Sequence, residues 1–270
     1  MSTTAVNTPA SMELSPPRRT SLAADILTVM SRELKPALRE PVSIIFTMIQ
    51  PLILLALFGP LLAQVPGIPA GAALQWFVPG VLVMIAIFGT SMTGSNLLAE
   101  MQAGSHERML VAPLHRSALI TGRALKEFVP LLAQAVVIVL VVLPFGFHLD
   151  IAGAVAGLLI LGVFGVGLGA LSYALAIAVR KTDWIFWVVQ QTVLFPVLIL
   201  SGTMLPLDNA PGWMQAVATV NPVGHVVLAE RALFNGDFGS VELIWGIVSA
   251  LAVALLGLLV GGRAVRRSVG

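Results

Sequence analysis

The chain has 270 residues, of which 57% are hydrophobic and 10% charged, with a formal net charge of +2. Soluble domains carry about 25% charged residues, and a chain this apolar folded in water would expose more greasy surface than a soluble monomer tolerates, so the composition describes an integral membrane protein. The absence of cysteine excludes disulfide frameworks, thiolate nucleophiles and cysteine metal sites.

Residues 1–19 are rich in Ser, Thr and Pro and poor in large apolar side chains, which predicts a disordered tail. Arg18-Arg19 raises the question of a twin-arginine export signal. Asp25, Arg32 and Glu33 leave no uninterrupted apolar segment behind it, which argues against one. From Leu22 the apolar residues Leu22, Ile26, Val29, Met30 and Leu34 form one helical stripe, with Asp25, Arg32, Glu33 and Lys35 mostly elsewhere. The pattern predicts an amphipathic helix within 20–40, lying on the membrane surface and ending near Pro36. A plain helix packed on a partner is the alternative.

Six apolar runs follow, near 42–63, 76–98, 124–147, 151–179, 184–205 and 241–262. Each is long enough for a bilayer core, which needs roughly 20 helical residues. None shows the alternation of a membrane barrel strand. The fold class expected is therefore all-α, with six transmembrane helices in a domain over 41–263 and a short tail at 264–270. Fourteen of the fifteen Lys and Arg residues lie in the termini and the second and fourth intervals, and Arg231 stands alone on the other side. The positive-inside rule makes the basic side cytoplasmic, with both termini inside.

Two intervals stand out. Within 99–123 the chain reads EMQAGSHERMLVAPLHRSALITGR from Glu100, a long charged interruption divided by Pro113. Ser105 is placed to cap a short helix with Glu107 at its positive end, Pro113 ends it, and Ser117 is placed to cap the helix that leads into the third span. The external interval 206–240 holds two short apolar pieces, Trp213–Val220 and Val223–Phe234, separated by Asn221-Pro222. It predicts two short re-entrant helices before the last span. Glu230 and Arg231 lie in the second piece and, about 100° apart on a helix, need not pair with each other. The glycine pairs Gly153/Gly157, Gly165/Gly169 and Gly257/Gly261 permit close helix contact, most simply within the chain. Tyr173, Gln190 and Gln191 are polar handles inside apolar runs, facing either a substrate path or a neighbouring helix.

Several chemistries are missing. The lysines Lys35, Lys126 and Lys181 are preceded by Leu, Leu and Arg, so no Gly-Lys-Ser/Thr of a phosphate-binding loop exists. His106, His115, His148 and His225 show no HExxH spacing, and no metal site is expected. The carboxylates Glu40, Glu100, Glu127, Asp183 and Glu242 sit at the ends of runs, which weakens an ion-coupled secondary transporter.

Three segments resemble the type-2 ABC exporter permease family in its daunorubicin-resistance branch. The first is Glu100, Gly104, Glu107, Arg108, Leu110, Pro113 and Arg116, similar to the Glu…Gly…Glu-Arg-Leu…Pro…Arg signature of that family's cytoplasmic loop. The second runs from Ser201-Gly202 through Pro206 to Pro211-Gly212-Trp213, and the third is Asn221-Pro222 followed by Glu230-Arg231. The resemblance implies a permease subunit of an ATP-driven exporter in the plasma membrane. Such an exporter pairs two permease copies, as a homodimer or with a paralogue, with two cytoplasmic ATPase subunits docked on the 99–123 loop. ATP and magnesium would belong to the ATPase, leaving this chain neither an enzyme nor a cofactor binder. The implied substrate is a small amphipathic compound (a drug, antibiotic, lipid or glycolipid), with export of a polysaccharide or lipid precursor as the alternative in the same family. The remaining partner is membrane lipid, and no nucleic acid is called for.

Overall fold

In hydrocarbon every backbone N–H and C=O must be satisfied within the segment that carries it, and apolar runs of this length do so as helices. A computed structural model describes residues 21–39, 41–62, 72–104 and 115–268. Among these the regular structure is all helix, joined by turns and short irregular connections. In chain order the helices are α1 (Leu22–Arg39), α2 (Pro41–Leu62), α3 (Ala73–Gln102), α4 (Arg116–Lys126), α5 (Phe128–Val142), α6 (Ile151–Ala178), α7 (Asp183–Ile199), α8 (Gly212–Ala218), α9 (Pro222–Phe234) and α10 (Val241–Ser268). The tail at 1–19 lies outside the described residues, as do Ser105, Glu107, Arg108, Leu110 and Pro113.

Four stretches are long and apolar enough to cross a membrane: Ala73–Gln102, Thr121–Phe145, Ile151–Ala178 and Val241–Arg267. Met48–Leu62 and Asp183–Ile199 are shorter apolar helices. The helices follow the apolar runs closely, with two departures. The helix α1 continues through Pro36 to Arg39, because proline removes one backbone donor and weakens a helix without always ending it. The fifth run, expected to reach 205, is helical only to Ile199. There Ser201 Oγ and Thr203 Oγ1 turn back to donate to the Leu198 carbonyl, at 2.6 and 3.3 Å, and Gly202 takes φ +67°, a left-handed conformation that favours glycine.

The centre of the bundle is α3. Its residues Phe77 to Ile87 are buried in an unbroken row. A helix apolar on every side belongs inside other protein, and α3 is surrounded by α2, α5, α6 and α9. The other core contact joins α6 to α10. A Cβ on Gly257 would meet the Gly167 carbonyl oxygen, and one on Gly167 would lie 2.5 Å from the Val253 carbonyl oxygen. Gly153 and Gly157 face α9 in the same way, against the Leu233 backbone and the Glu230 carboxyl. These glycines therefore serve packing within the chain, where small residues let backbones approach.

Gly257→Ala and Gly167→Ala should each cost about 1–3 kcal/mol, because the new methyl meets backbone that cannot rotate away. Gly262→Ala is the control, since nothing lies within 4 Å of its added Cβ, and it should be neutral or slightly stabilising. Thermal unfolding of the detergent-solubilised protein measures all three.

Candidate functional site

At the basic end of the bundle α3 finishes, the 105–114 segment leaves the described residues, and α4 begins. Gly104 ends α3 with φ +65°, its N–H donating to the Met101 carbonyl at 3.1 Å. This is the glycine C-terminal cap of a helix, and it explains why the loop signature has Gly at this position. On the far side, His115 is the N-cap of α4, so Ser117 lies inside the first turn and does not cap it as its position had suggested. The capping acceptor comes instead from α1. Asp25, buried, accepts the His115 backbone N–H at 2.9 Å and lies 2.6 Å from its ring Nδ1.

In its last turn, just before the third apolar run, α4 carries Arg123, only 2% exposed. Its guanidinium pairs with Glu33 of α1 at 3.2 Å and with Glu100 of α3, and lies over the ring of Tyr173 on α6, 5.6 Å from the centroid. Lys126 reaches Glu33 at 3.6 Å and Glu127 at 3.7 Å, and Thr93 of α3 donates to Glu127 at 3.1 Å. Five charges and a tyrosine thus join α1, α3, α4 and α6 in one network. Glu33 and Asp25 lie on the face of α1 that holds Val29 against α4, where a Cβ on Gly122 would lie 2.8 Å from both Val29 and the Ile26 carbonyl. The apolar stripe read in the sequence is real, but two carboxylates share its buried side.

The structure accounts for the other singled-out residues as follows. Glu100 points inward to Arg123, Gly104 caps α3, and Arg116 opens α4. Gln190 is buried and donates to the Ser91 carbonyl at 3.3 Å and to Ser172 Oγ at 3.2 Å. Ser172 in turn donates to Ser91 at 2.8 Å, so this cluster ties α3, α6 and α7 at mid-height. Tyr173 is buried under Arg123, and Gln191 is exposed.

The opposite end has its own cluster. Arg231 of α9 stacks on Trp76, 3.7 Å from the ring centroid, and donates to the Trp76 carbonyl at 2.9 Å and the Gly202 carbonyl at 2.8 Å. Asn221 caps α9 by accepting from Val223 N–H and donates to the Val197 carbonyl at 2.8 Å. Pro222 occupies the first turn of α9, where its missing N–H costs nothing. Pro211 is the N-cap of α8, Pro206 lies half-buried in the turn before it, and α8 leaves Trp213 and Val217 exposed. Glu230 points the other way from Arg231, fully buried against Gly157. Neither carboxyl oxygen has a hydrogen-bond partner among the described residues, and burial pushes its pKa up, which favours the protonated acid. Beside this end a cavity of about 600 Å³ opens between α2, α3 and α5, lined by apolar residues such as Leu55, Leu74, Val142 and Phe145.

Sequence reasoning missed the partners Glu33, Thr93, Trp76 and Ser172, which belong to distant parts of the chain. One sign was available: an arginine at the very start of an apolar run is apt to be buried and must then find negative charge.

Arg123→Met should cost about 3–5 kcal/mol, since it removes the cation paired with Glu100 and one of the two paired with Glu33. Adding Glu33→Gln and Glu100→Gln should recover most of that loss, as read by thermal unfolding. For Glu230 the folded state holds the proton more tightly, so its contribution is present at acidic pH and lost as pH rises through the raised pKa. The parent should therefore lose stability relative to Glu230→Gln on going from acidic to alkaline buffer.

Comparison with known proteins agrees with this arrangement. The family described as ABC-2 type transporter matches residues 24–234. The chain is 28% identical over 240 residues to the daunorubicin resistance ABC transporter permease protein DrrB1 of Streptomyces coeruleorubidus, covering 88% of this chain and 83% of that protein. It is 23% identical over 203 residues to the probable doxorubicin resistance ABC transporter permease protein DrrC of Mycobacterium tuberculosis, covering 73% and 72% respectively. Against the probable multidrug ABC transporter permease YbhR of Escherichia coli it is 26% identical over 185 residues, 66% of this chain and 49% of that longer protein. The matched region runs from the start of α1 to the end of α9 and so takes in both clusters: the chain belongs to the ABC-2 type transporter permease family.

Proposed function

We propose that this chain is the membrane subunit of an ATP-driven exporter and that the segment between α3 and α4 receives the stroke of a separate ATPase. The observation that carries this reading is the Arg123 network. The two helices bracketing the segment are joined through one guanidinium to each other and to α1 and α6. A displacement of the segment therefore moves four helices together. The lack of a Gly-Lys-Ser/Thr triplet supports leaving ATP and magnesium to the partner. In this reading all six apolar helices span, the basic end is cytoplasmic, α8 and α9 re-enter the outer leaflet, and two copies of the chain pair with two ATPase subunits in the plasma membrane. Exposed Trp213 and Val217 on α8 support re-entry, because apolar side chains there suit lipid. The apolar cavity near Leu55 and Phe145 supports a substrate with a large apolar part, such as an amphipathic drug, antibiotic or lipid.

The chain has no cysteine, so single cysteines report topology without background. Cysteines replacing Ser105 and Arg266 should be labelled only from the cytoplasm, and one replacing Gly71 only from outside. External labelling at 105 in intact cells overturns the orientation.

Coupling is tested separately. Glu107→Lys with Arg108→Glu should reduce co-purification of the ATPase, since reversal adds repulsion to lost attraction. A single alanine there should do little, because an exposed ion pair is worth about 0–1 kcal/mol. Pro113→Ala should keep the complex but lose substrate-stimulated hydrolysis. If the double reversal leaves complex and transport intact, the segment does not carry the stroke.

A further inference from the structure

The basic residues at the coupling end divide into two groups. Arg123 and Lys126 are occupied by Glu33, Glu100 and Glu127. Arg180, Lys181, Arg263, Arg266 and Arg267 are all exposed, and none is in an ion pair among the described residues. The nearest carboxylate along the chain, Asp183, accepts from Gln102 at 2.9 Å. Five uncompensated cations thus collect where the turn between α6 and α7 meets the last turns of α10.

This ground is hollow. A cavity of about 520 Å³ lies between the turn and α10, with Arg180, Lys181, Thr182 and Arg267 at its rim and Ala174 and Ala178 in its floor. A second, of about 440 Å³, adjoins it through Ala174, Ala178, Ala264 and Arg267, and is walled by Leu171, Leu175 and Val260 below Arg263. Small side chains on α6 and α10 make the space, cations ring its mouth, and aliphatic groups line its depth. Down α10 the apolar surface continues outward through Leu259, Leu256 and Leu255, all exposed.

We propose that this double cleft binds one anionic phospholipid, its phosphate held between Arg180, Lys181 and Arg267 and an acyl chain laid along Leu171, Leu175 and Val260. The chemistry recognised at the rim is a phosphate group. A soluble phosphate compound or an acidic protein surface would satisfy the cations alone. Only a lipid uses the cations and the aliphatic wall together, and basic pockets between membrane helices suit anionic headgroups. The leaflet assignment, cytoplasmic, rests on the orientation proposed above; the binding chemistry does not. A lipid seated there would brace the turn between α6 and α7 against the end of α10, both in contact with the helices of the Arg123 network.

The test uses the full chain in detergent, without ATPase or substrate, so that failure of the export reading leaves it undisturbed. Purified protein is exposed to equimolar phosphatidylglycerol and phosphatidylcholine, and retained lipid is counted by native mass spectrometry. The parent should retain one phosphatidylglycerol in preference to phosphatidylcholine. Arg180→Ala/Lys181→Ala/Arg267→Ala should lower that preference by roughly tenfold or more, taking the usual gain per basic residue near an anionic lipid. Arg32→Ala/Lys35→Ala, which removes exposed cations on α1, should keep it. Leu171→Gln/Val260→Gln, which leaves every cation in place, should also weaken retention. Equal retention of the two lipids by the parent, or parent-like retention by the triple variant, overturns the proposal. Complete displacement of the lipid by millimolar inorganic phosphate assigns the cations to that ligand and overturns it too.

Discussion

A guanidinium buried at the entry to an apolar span has to be met by negative charge, and Arg123 takes carboxylates from two other helices. Glu33 arrives from α1, Glu100 from α3, and the face of Tyr173 from α6. A cation buried to this extent loses several kcal/mol of hydration, and only the assembled cluster offsets that loss. The requirement fixes how α1 lies on α4 and where α3 ends. It also sets the distance that the chain between Gly104 and His115 must bridge. Asp25 adds a second tie between the same helices by receiving the first N–H of α4.

The far end solves a similar problem with different chemistry. Among the described residues Arg231 forms no ion pair; it spreads its charge over the Trp76 ring and two backbone carbonyls. The carbonyl of Gly202 is free to receive it because the left-handed turn there ends α7 early. One side chain thereby joins the start of α3, the end of α7 and the middle of α9. The α3 helix thus has an arginine fastening each of its ends. Between them Gln190, Ser172 and Ser91 add hydrogen bonds where helices in lipid gain little from hydrophobic association.

Such an arrangement suits a part that transmits movement. Dry contacts built on Gly167 and Gly257 hold α6 and α10 as a unit, because packed backbone does not deform continuously. In the export reading proposed above, the short α4, bound on one side to α1 and continued by α5 on the other, is the element that would carry a push from water to that unit.

From the sequence alone, much of this protein could be read. The 3.6-residue stripe and the long apolar runs fixed where helices form, since each depends on neighbours three or four positions away or on composition over about 20 residues. The Asn221-Pro222 punctuation was legible for the same local reason, whereas the cap that Gly104 forms came only with the structure. What the tertiary structure alone decided is who meets whom. Glu100 reads in the sequence as one charge of a loop, and only the structure pairs it with Arg123; Gln190 and Tyr173 read equally as path residues or as ties to a neighbouring helix, and only the structure shows them buried among helices. Asp25 caps a helix 90 residues away. Such pairings depend on helix rotation and crossing, which are set by the packing of small residues on several helices at once, and no window of sequence holds all of them together.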